Sequence, residues 1–473
     1  GDGIETTSTE NGVFFDHQSD GFAETSAWVA QDDAILVHDK NANGIIDNGN
    51  EIFGDNYTKL DGSLASSGFN ALADLDSNDD GIINALDSAF DSLKLLKGDG
   101  SLLTLAEAGI ESISLTNSAT NTTDDNGNKQ TAIGSFTKSD QTTGAIADYI
   151  LQNDKTNSIA TEWIDVSEDV EILPNISGSG TNYSLQQAMM RNSELKTLVQ
   201  SFVNATDIDI KRQLVNPILY KWCDVENISP TSRGENVNAQ QLAVLEKFMG
   251  TNFVGTGNAT NPNNNAGPML TQAYHVLANY IYAELESQSS LSSIYDLLEM
   301  NYNAETQKYT FDLSAVKSHL DNLLTTDYNT AIKTLDDFTK TFNALGLVQD
   351  SNYSTFEAYF SEISNELAQI MQEANKSVIF GSSEIDNISA SELPEVAYGF
   401  GGNDRILTRQ GDDIIYGGDG DDYLNSCEGN DVIYGENGDD TIWAGKGNDI
   451  VYGGAGADEI QYSTGDDIIY GGD

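Results

Sequence analysis

The chain has 473 residues, too many for one ordinary domain, and sets 75 acidic side chains against 22 basic ones, a net charge of −53. A surface of that sign repels phosphates, which excludes nucleic-acid binding and disfavours an anionic membrane face. Charge this one-sided destabilises a compact state by self-repulsion, so a folded form requires cations among the carboxylates, and calcium, a hard cation that takes oxygen ligands, is the first candidate.

Residues 1–150 are rich in Asp, Asn and Gly. The first candidate metal loop runs from Asp16 through Asp20 and Gly21, with Glu24 at place 9. It has no acid at place 12 and reads as a half-site. The second has Asp39, Asn41, Asn43, Gly44, Ile45 and Asp47 at places 1, 3, 5, 6, 7 and 9, with its closing acid displaced by one residue to Glu51. The third sets Asp76, Asn78, Asp80, Asn84 and Asp87 at places 1, 3, 5, 9 and 12. Gly81 supplies its sharp turn and Ile82 its place-7 carbonyl, the spacing of an EF-hand calcium loop. Ala85 to Leu96 reads as the exiting helix. Residues 151–182 read as a linker.

From 183 to 380 the pattern is helical. Leu185, Met189, Leu195, Leu198, Val199 and Phe202 share a face, as do Leu242, Leu245, Phe248 and Met249, and again Leu335, Phe338, Phe342 and Leu345. Plain helical core explains them.

Residues 381–473 are a repeat. Gly402, Gly411, Gly420, Gly429, Gly438, Gly447, Gly456 and Gly465 recur every nine residues. Two places after each stands Asp404, Asp413, Asp422, Asp431, Asp440, Asp449, Asp458 or Asp467, and two further on an Ile, Leu or Val. The unit G-G-x-G-x-D-x-U-x stands unaltered at Gly417–Asn425 and Gly453–Gln461. The glycine half suits a turn with positive φ, and the x-U-x half a short strand with its apolar residue inward. Asp386 with Ile388, and Glu395 with Ala397, continue the register upstream, so 381–398 reads as two degenerate leading turns.

This nonapeptide resembles the RTX family. The resemblance implies a parallel β-roll with two units per coil, in which each Asp carboxylate and the turn carbonyls hold Ca²⁺ between successive turns. It also implies bacterial type I secretion and a secreted or cell-surface location. The stretches GDGIET, FDHQSDGF, AWVAQDDAILVHDKNANGIIDNGNEIFGDN, GFNALADLDSNDDGIINALDSAF and LAEAGIESISL resemble the self-processing module of iron-regulated Frp-type RTX proteins of Neisseria, with weaker likeness through the helical zone. In that family calcium folds the module, which cleaves an Asp-Pro bond at its N-terminal edge and can pass the aspartyl group to a lysine amine. Two departures stand out. None of the six prolines here follows Asp. The family's further Asp-rich loop is reduced to Lys97-Gly98-Asp99-Gly100-Ser101.

Conventional active-site patterns are missing: His17, His38, His275 and His319 make no zinc spacing, and neither G-x-S-x-G nor a phosphate-binding Gly-rich loop occurs. Cys223 and Cys427 provide no disulfide framework, and no apolar run is long enough to span a membrane. The chain opens mid-motif and ends mid-repeat, as expected of a piece of a longer protein. The expected architecture is multidomain α+β: an EF-hand-like calcium-loop module, a helical middle domain and a C-terminal parallel β-roll. The expected function is a calcium-binding part of a secreted RTX protein with a self-processing-like module. The competing reading is an adhesion module whose helical zone binds a host or cell-surface protein while calcium only braces it.

Overall fold

The computed structural model describes residues 3–303, 308–349, 351–461 and 464–472. Gly1, Asp2 and Asp473, part of the motifs read at the two ends, lie outside them. The chain divides into two units.

The first unit comprises Gly1–Trp163 with Gly178–Tyr183 and Phe248–Thr251. Its strands are short and antiparallel. Val13–Phe15, Phe22–Ser26 and Asn153–Ala160 form one sheet, the last strand lying within the stretch read as a linker. Ala34–His38, Leu93–Lys97 and Leu102–Thr104 form a second. Ile82–Asn84, Ile110–Ser114, Lys129–Lys138 and Thr143–Ile150 form a third, with Ser118–Thr123 also paired to Lys129–Lys138. Leu72, Leu75, Ile83, Leu93, Leu105, Ile110 and Ile113 make the core.

The exiting helix expected over Ala85 to Leu96 is corrected. Phe90–Ser92 is a single 3₁₀ turn and Leu93–Lys97 is a strand paired with Ala34–His38. The apolar spacing of Leu86, Phe90, Leu93 and Leu96 fits a helix, but Leu93 and Leu95 also alternate, and pairing with a distant strand selects that period. The candidate metal loops of this unit therefore lack helix–loop–helix framing. The loop at Asp16 lies between two strands, the one at Asp39 follows a strand, and only the one at Asp76 follows a helix, Gly68–Ala73.

The second unit holds the helical zone and the roll. The apolar faces read from the sequence are largely buried, with Leu185, Val199, Phe202, Leu242, Leu335, Phe338 and Phe342 all inside; Met249, which falls in the first unit, is exposed. Two parallel sheets make the roll. Ser377–Ser382, Glu395–Gly401, Ile414–Asp419, Val432–Asn437, Ile450–Ala455 and Ile468–Gly472 line one side. Asn387–Ser389, Arg405–Leu407, Tyr423–Asn425, Thr441–Trp443 and Glu459–Gln461 line the other. Register advances 18 residues per coil, as in Val396↔Ile414 and Ile406↔Leu424. Ile388, Ala397, Ile406, Ile415, Leu424, Ile433, Ile442 and Val451 stack as the inner column. Outside, Tyr398, Tyr416, Tyr434, Tyr452 and Tyr470 stack with centroids 4.8–4.9 Å apart and rings within 6° of parallel. That separation is the spacing of neighbouring strands.

A parallel sheet needs its first edge covered. Helices Ile208–Trp222 and Ala266–Ser287 pack on Ser377–Ser382. Buried Asn216 donates through Nδ2 to the carbonyls of Phe380 (2.7 Å) and Gly381 (3.2 Å) and accepts at Oδ1 from the Tyr274 hydroxyl (2.7 Å). Asn279 donates to the Val378 carbonyl. Arg212 lies 4.6 Å above the Tyr398 ring, at the head of the tyrosine column. Substitution Asn216→Leu removes the amide donor to two carbonyls and the acceptor of the Tyr274 hydroxyl, so it should cost roughly 2–4 kcal/mol, read as a lower denaturant midpoint in saturating calcium. An unchanged midpoint would show that these bonds do not hold the roll's first strand.

Candidate metal sites

In the roll each aspartate carboxylate reaches back one coil. The main-chain N–H groups of Asp386, Glu395, Asp404, Asp413, Asp422, Asp431, Asp440 and Asp449 donate, at 2.7–3.1 Å, to Oδ1 of Asp404, Asp413, Asp422, Asp431, Asp440, Asp449, Asp458 and Asp467 respectively. One oxygen of each is thus fixed by the ladder. The other, Oδ2, is buried without a hydrogen-bond partner at Asp404, Asp413, Asp422, Asp431, Asp440, Asp449 and Asp458, as is Glu395 Oε2. Buried oxygens left unpaired in register are the signature of a missing positive group.

The glycines show where it sits. A Cβ on Gly435 would lie 2.3 Å from the Gly453 carbonyl oxygen and 2.4 Å from Asp440 Oδ2. Gly399, Gly417 and Gly453 meet the matching pairs, Gly417 O with Asp404 Oδ2, Gly435 O with Asp422 Oδ2, and Gly471 O with Asp458 Oδ2. A carboxylate oxygen and a main-chain carbonyl converging on a niche that glycine leaves open is the donor set of a hard cation such as Ca²⁺.

Burial also disfavours the ionised carboxylates. It pushes Asp404 up to about 8, Asp413 and Asp431 up to about 7, and Asp422 and Asp440 up to about 6, with neighbouring carboxylates of the column adding to the rise. Asp449 and Glu395 move up for the same first reason.

A second, outer ladder was not legible as a functional column. Asn403, Asp421 and Asp439 each accept at Oδ1 from the main-chain N–H one coil later, and so do Asp412, Asn430 and Asn448. The signal is in the place before each repeat Asp, which is Asn or Asp in every unit from Gly402 on except at Ala457.

In the first unit, the loops at Asp16, Asp39 and Asp76 share one backbone. Place 4 (Ser19, Ala42, Asp79) has φ of 56–58° and place 6 (Gly21, Gly44, Gly81) has φ of 80–88°. The first Asp accepts the place-5 N–H at Oδ1 and the place-6 N–H at Oδ2 in all three. Asn41 and Asn78 accept the place-5 N–H, while Asp20, Asn43 and Asp80 accept the place-7 N–H of Phe22, Ile45 and Ile82.

Closure follows the same logic. Asp87 accepts from Ser77 N (2.8 Å) and Asn84 N (3.0 Å), at places 2 and 9. Glu51 accepts from the equivalent Lys40 N (3.0 Å) and Asp47 N (2.8 Å), so the one-residue displacement leaves its role intact. In the loop at Asp16, Glu24 takes the place-2 N–H of His17 (3.3 Å). Burial raises Asp87, but the amides of Asn84 and Ser77 outweigh it and hold the carboxyl below its usual range. Asp47 Oδ2 accepts from the amides of both Asn41 and Asn43 at 2.8 Å. Lys94 Nζ lies 2.6 Å from Asp39 Oδ2.

Among the described residues no three His, Cys, Asp or Glu side chains converge on one point. A cation's shell would have to be completed by amide and main-chain oxygens. The shortened segment 97–101 is a hairpin turn, with Asp99 hydrogen-bonded to Ser101. His17 and His38 bond Ser26 and Tyr57, respectively, inside the fold.

Comparison with known proteins agrees with this geometry. A family model of the RTX calcium-binding nonapeptide repeat (4 copies) matches residues 398–426 and 428–460. The chain carries RTX calcium-binding repeats. The ion of the RTX column is therefore Ca²⁺. A model of the SPM domain matches residues 1–152. The chain is 37% identical over 237 residues to the iron-regulated protein FrpA of Neisseria meningitidis serogroup C, covering 48% of this chain and 21% of that protein. It thus spans about a fifth of that relative's length. Among the described residues no helix is long and apolar enough to cross a membrane.

Two expectations follow. The raised carboxyls bind protons more tightly folded than unfolded, so stability of the calcium-free roll falls as pH rises from about 4, the ordinary carboxyl value, to about 8. Circular dichroism in EGTA should show β content growing as pH drops from 8 to 5, whereas at pH 7.5 calcium should restore it. Equal spectra with and without calcium at pH 7.5 would contradict this. For the loops, Asp76→Ala should weaken calcium binding by segment 1–183 more than Asp16→Ala, because only the former loop closes on both places 2 and 9. Isothermal titration decides it.

Proposed function

We propose that this chain is part of a secreted RTX protein that folds on calcium outside the cell, and that its N-terminal module processes an Asp-Pro bond presented at its own N-terminal side. The observation carrying this reading is that the SPM match covers the same residues as the three loops with a common hydrogen-bond scheme. In the roll, the ligands are Asp404, Asp413, Asp422, Asp431, Asp440, Asp449, Asp458 and Asp467 with turn carbonyls. In the module they are Asp76, Asn78, Asp80, Ile82, Asn84 and Asp87; Asp39, Asn41, Asn43, Ile45, Asp47 and Glu51; and, more weakly, Asp16 and Asp20.

Bound calcium supplies positive charge that lets these carboxylates stay ionised side by side. The chain does the rest. With its loops closed, the module holds the scissile aspartate so that a carboxylate oxygen faces its own main-chain carbonyl carbon. The new C–O bond forms a cyclic anhydride, the C–N bond to proline breaks, and the proline nitrogen takes a proton. Water or a lysine amine then opens the anhydride. Orientation of this kind lowers a barrier by several kcal/mol, on the order of 7–11 at its best.

The test is a chain extended at its N-terminus by a short segment ending in Asp-Pro. Calcium should cleave it after the aspartate, leaving an N-terminal proline, and the double change Asp76→Ala with Asp87→Ala should abolish cleavage. An uncut band at saturating calcium overturns the processing reading. The adhesion reading would then lead. It is supported by the exposed stripe of Met269, Val276 and Tyr280 on helix Ala266–Ser287, 71%, 59% and 39% exposed.

A further inference from the structure

The loops at Asp39 and Asp76 share backbone, the amide bonds to their first Asp and closure on places 2 and 9, but they differ in what faces that first Asp. Asp39 has a cation of the protein's own. Lys94 stands opposite Val37 in the strand pair that leads into the loop, so the sheet fixes where its side chain starts. Its Nζ reaches Asp39 Oδ2 at 2.6 Å, and Asp39 is 3% exposed and Lys94 25% exposed at the side chain. Both oxygens of Asp39 already accept a loop amide, from Asn43 and Gly44. The ammonium therefore occupies acceptor capacity at the first ligand place. No ion pair is formed by Asp76, Asp80 or Asp87 among the described residues, and that loop carries a further acid at Asp79.

We propose that Lys94 is a tethered cation that competes with calcium for Asp39 and gives the 39–51 loop a higher calcium threshold than the 76–87 loop. This rests on reading both loops as calcium sites. The physics holds in either geometry. If the ammonium leaves Asp39 when calcium arrives, its ion pair is lost. If it stays, a single charge and a double charge of the same sign sit a few ångströms apart around one carboxylate. In both cases the same loop without Lys94 binds calcium more tightly, and the module fills in order, 76–87 first and 39–51 later. Filling of the second loop then coincides with a change in the surroundings of a lysine amine, the strand Leu93–Lys97 and its partner Ala34–His38.

Hydrogen exchange of the full chain, followed by mass spectrometry over a calcium titration, reads the two loops separately. In the parent chain, amides of 39–51 should gain protection at a higher calcium concentration than those of 76–87. Lys94→Met should lower the midpoint of 39–51 by roughly tenfold, the effect of one like charge near a partly exposed site. Lys94→Arg, which keeps the charge, should leave it near the parent value. The midpoint of 76–87 serves as the check that each variant is folded. If 39–51 gains no protection at any calcium concentration, the calcium-site reading of that loop fails. If it gains protection at the same midpoint in the parent chain and in Lys94→Met while 76–87 is unchanged, the competition fails and the site reading stands.

Discussion

Carboxylates cannot be stacked at strand spacing in a poorly solvated groove unless something positive sits among them. The roll imposes that arrangement through its 18-residue coil, which returns each aspartate to the same place one strand further on. One oxygen of each carboxylate from Asp404 to Asp467 is used by the main-chain N–H of the preceding coil, and from Asp404 to Asp458 the other is left inside without a donor. Hydrophobic stacking of Ile406, Ile415, Leu424 and Ile433 supplies the cohesion, but it cannot be reached while ionised neighbours repel. A cation between the coils would resolve the conflict, calcium being the ion that repeats of this kind bind, and the net charge of −53 makes the same demand of the whole chain.

The helical part answers a different problem in the same unit. A solenoid propagates readily but has a bare edge where it begins. Asn216 and Asn279 supply amide donors to the carbonyls of the first strand, and Arg212 sits over the first tyrosine of the outer column. The same helices bury the ion pair of Lys211 with Glu286, 2.6 Å apart. Such a pair is costly to take out of water unless it is well bonded, and it fixes which faces meet.

Much of this was legible in the sequence. Register of the roll follows from the spacing of Gly402 to Gly465, and the structure continues it upstream through Ile388 and Ala397. The spacing at Asp76 and Asp39 marked loops whose amide bonds proved alike, even with Glu51 displaced. The exit from the third loop was misread because Leu86, Phe90, Leu93 and Leu96 satisfy a helical period, and only the distant strand Ala34–His38 decides between helix and strand. Lys94 is 55 residues from Asp39, and Asn216 is 164 from Phe380, so no local pattern reveals either pairing. Long-range partners of single side chains are what periodicity cannot carry.

Crystals grown with calcium and measured for its anomalous scattering address the central claim most directly, because they locate the ions rather than infer them from folding. The account predicts a column of peaks between successive coils, each about 2.3–2.6 Å from Oδ2 of Asp404, Asp422, Asp440 or Asp458 and from the glycine carbonyl that meets it. A folded roll whose Oδ2 atoms show no such peaks at saturating calcium would contradict it.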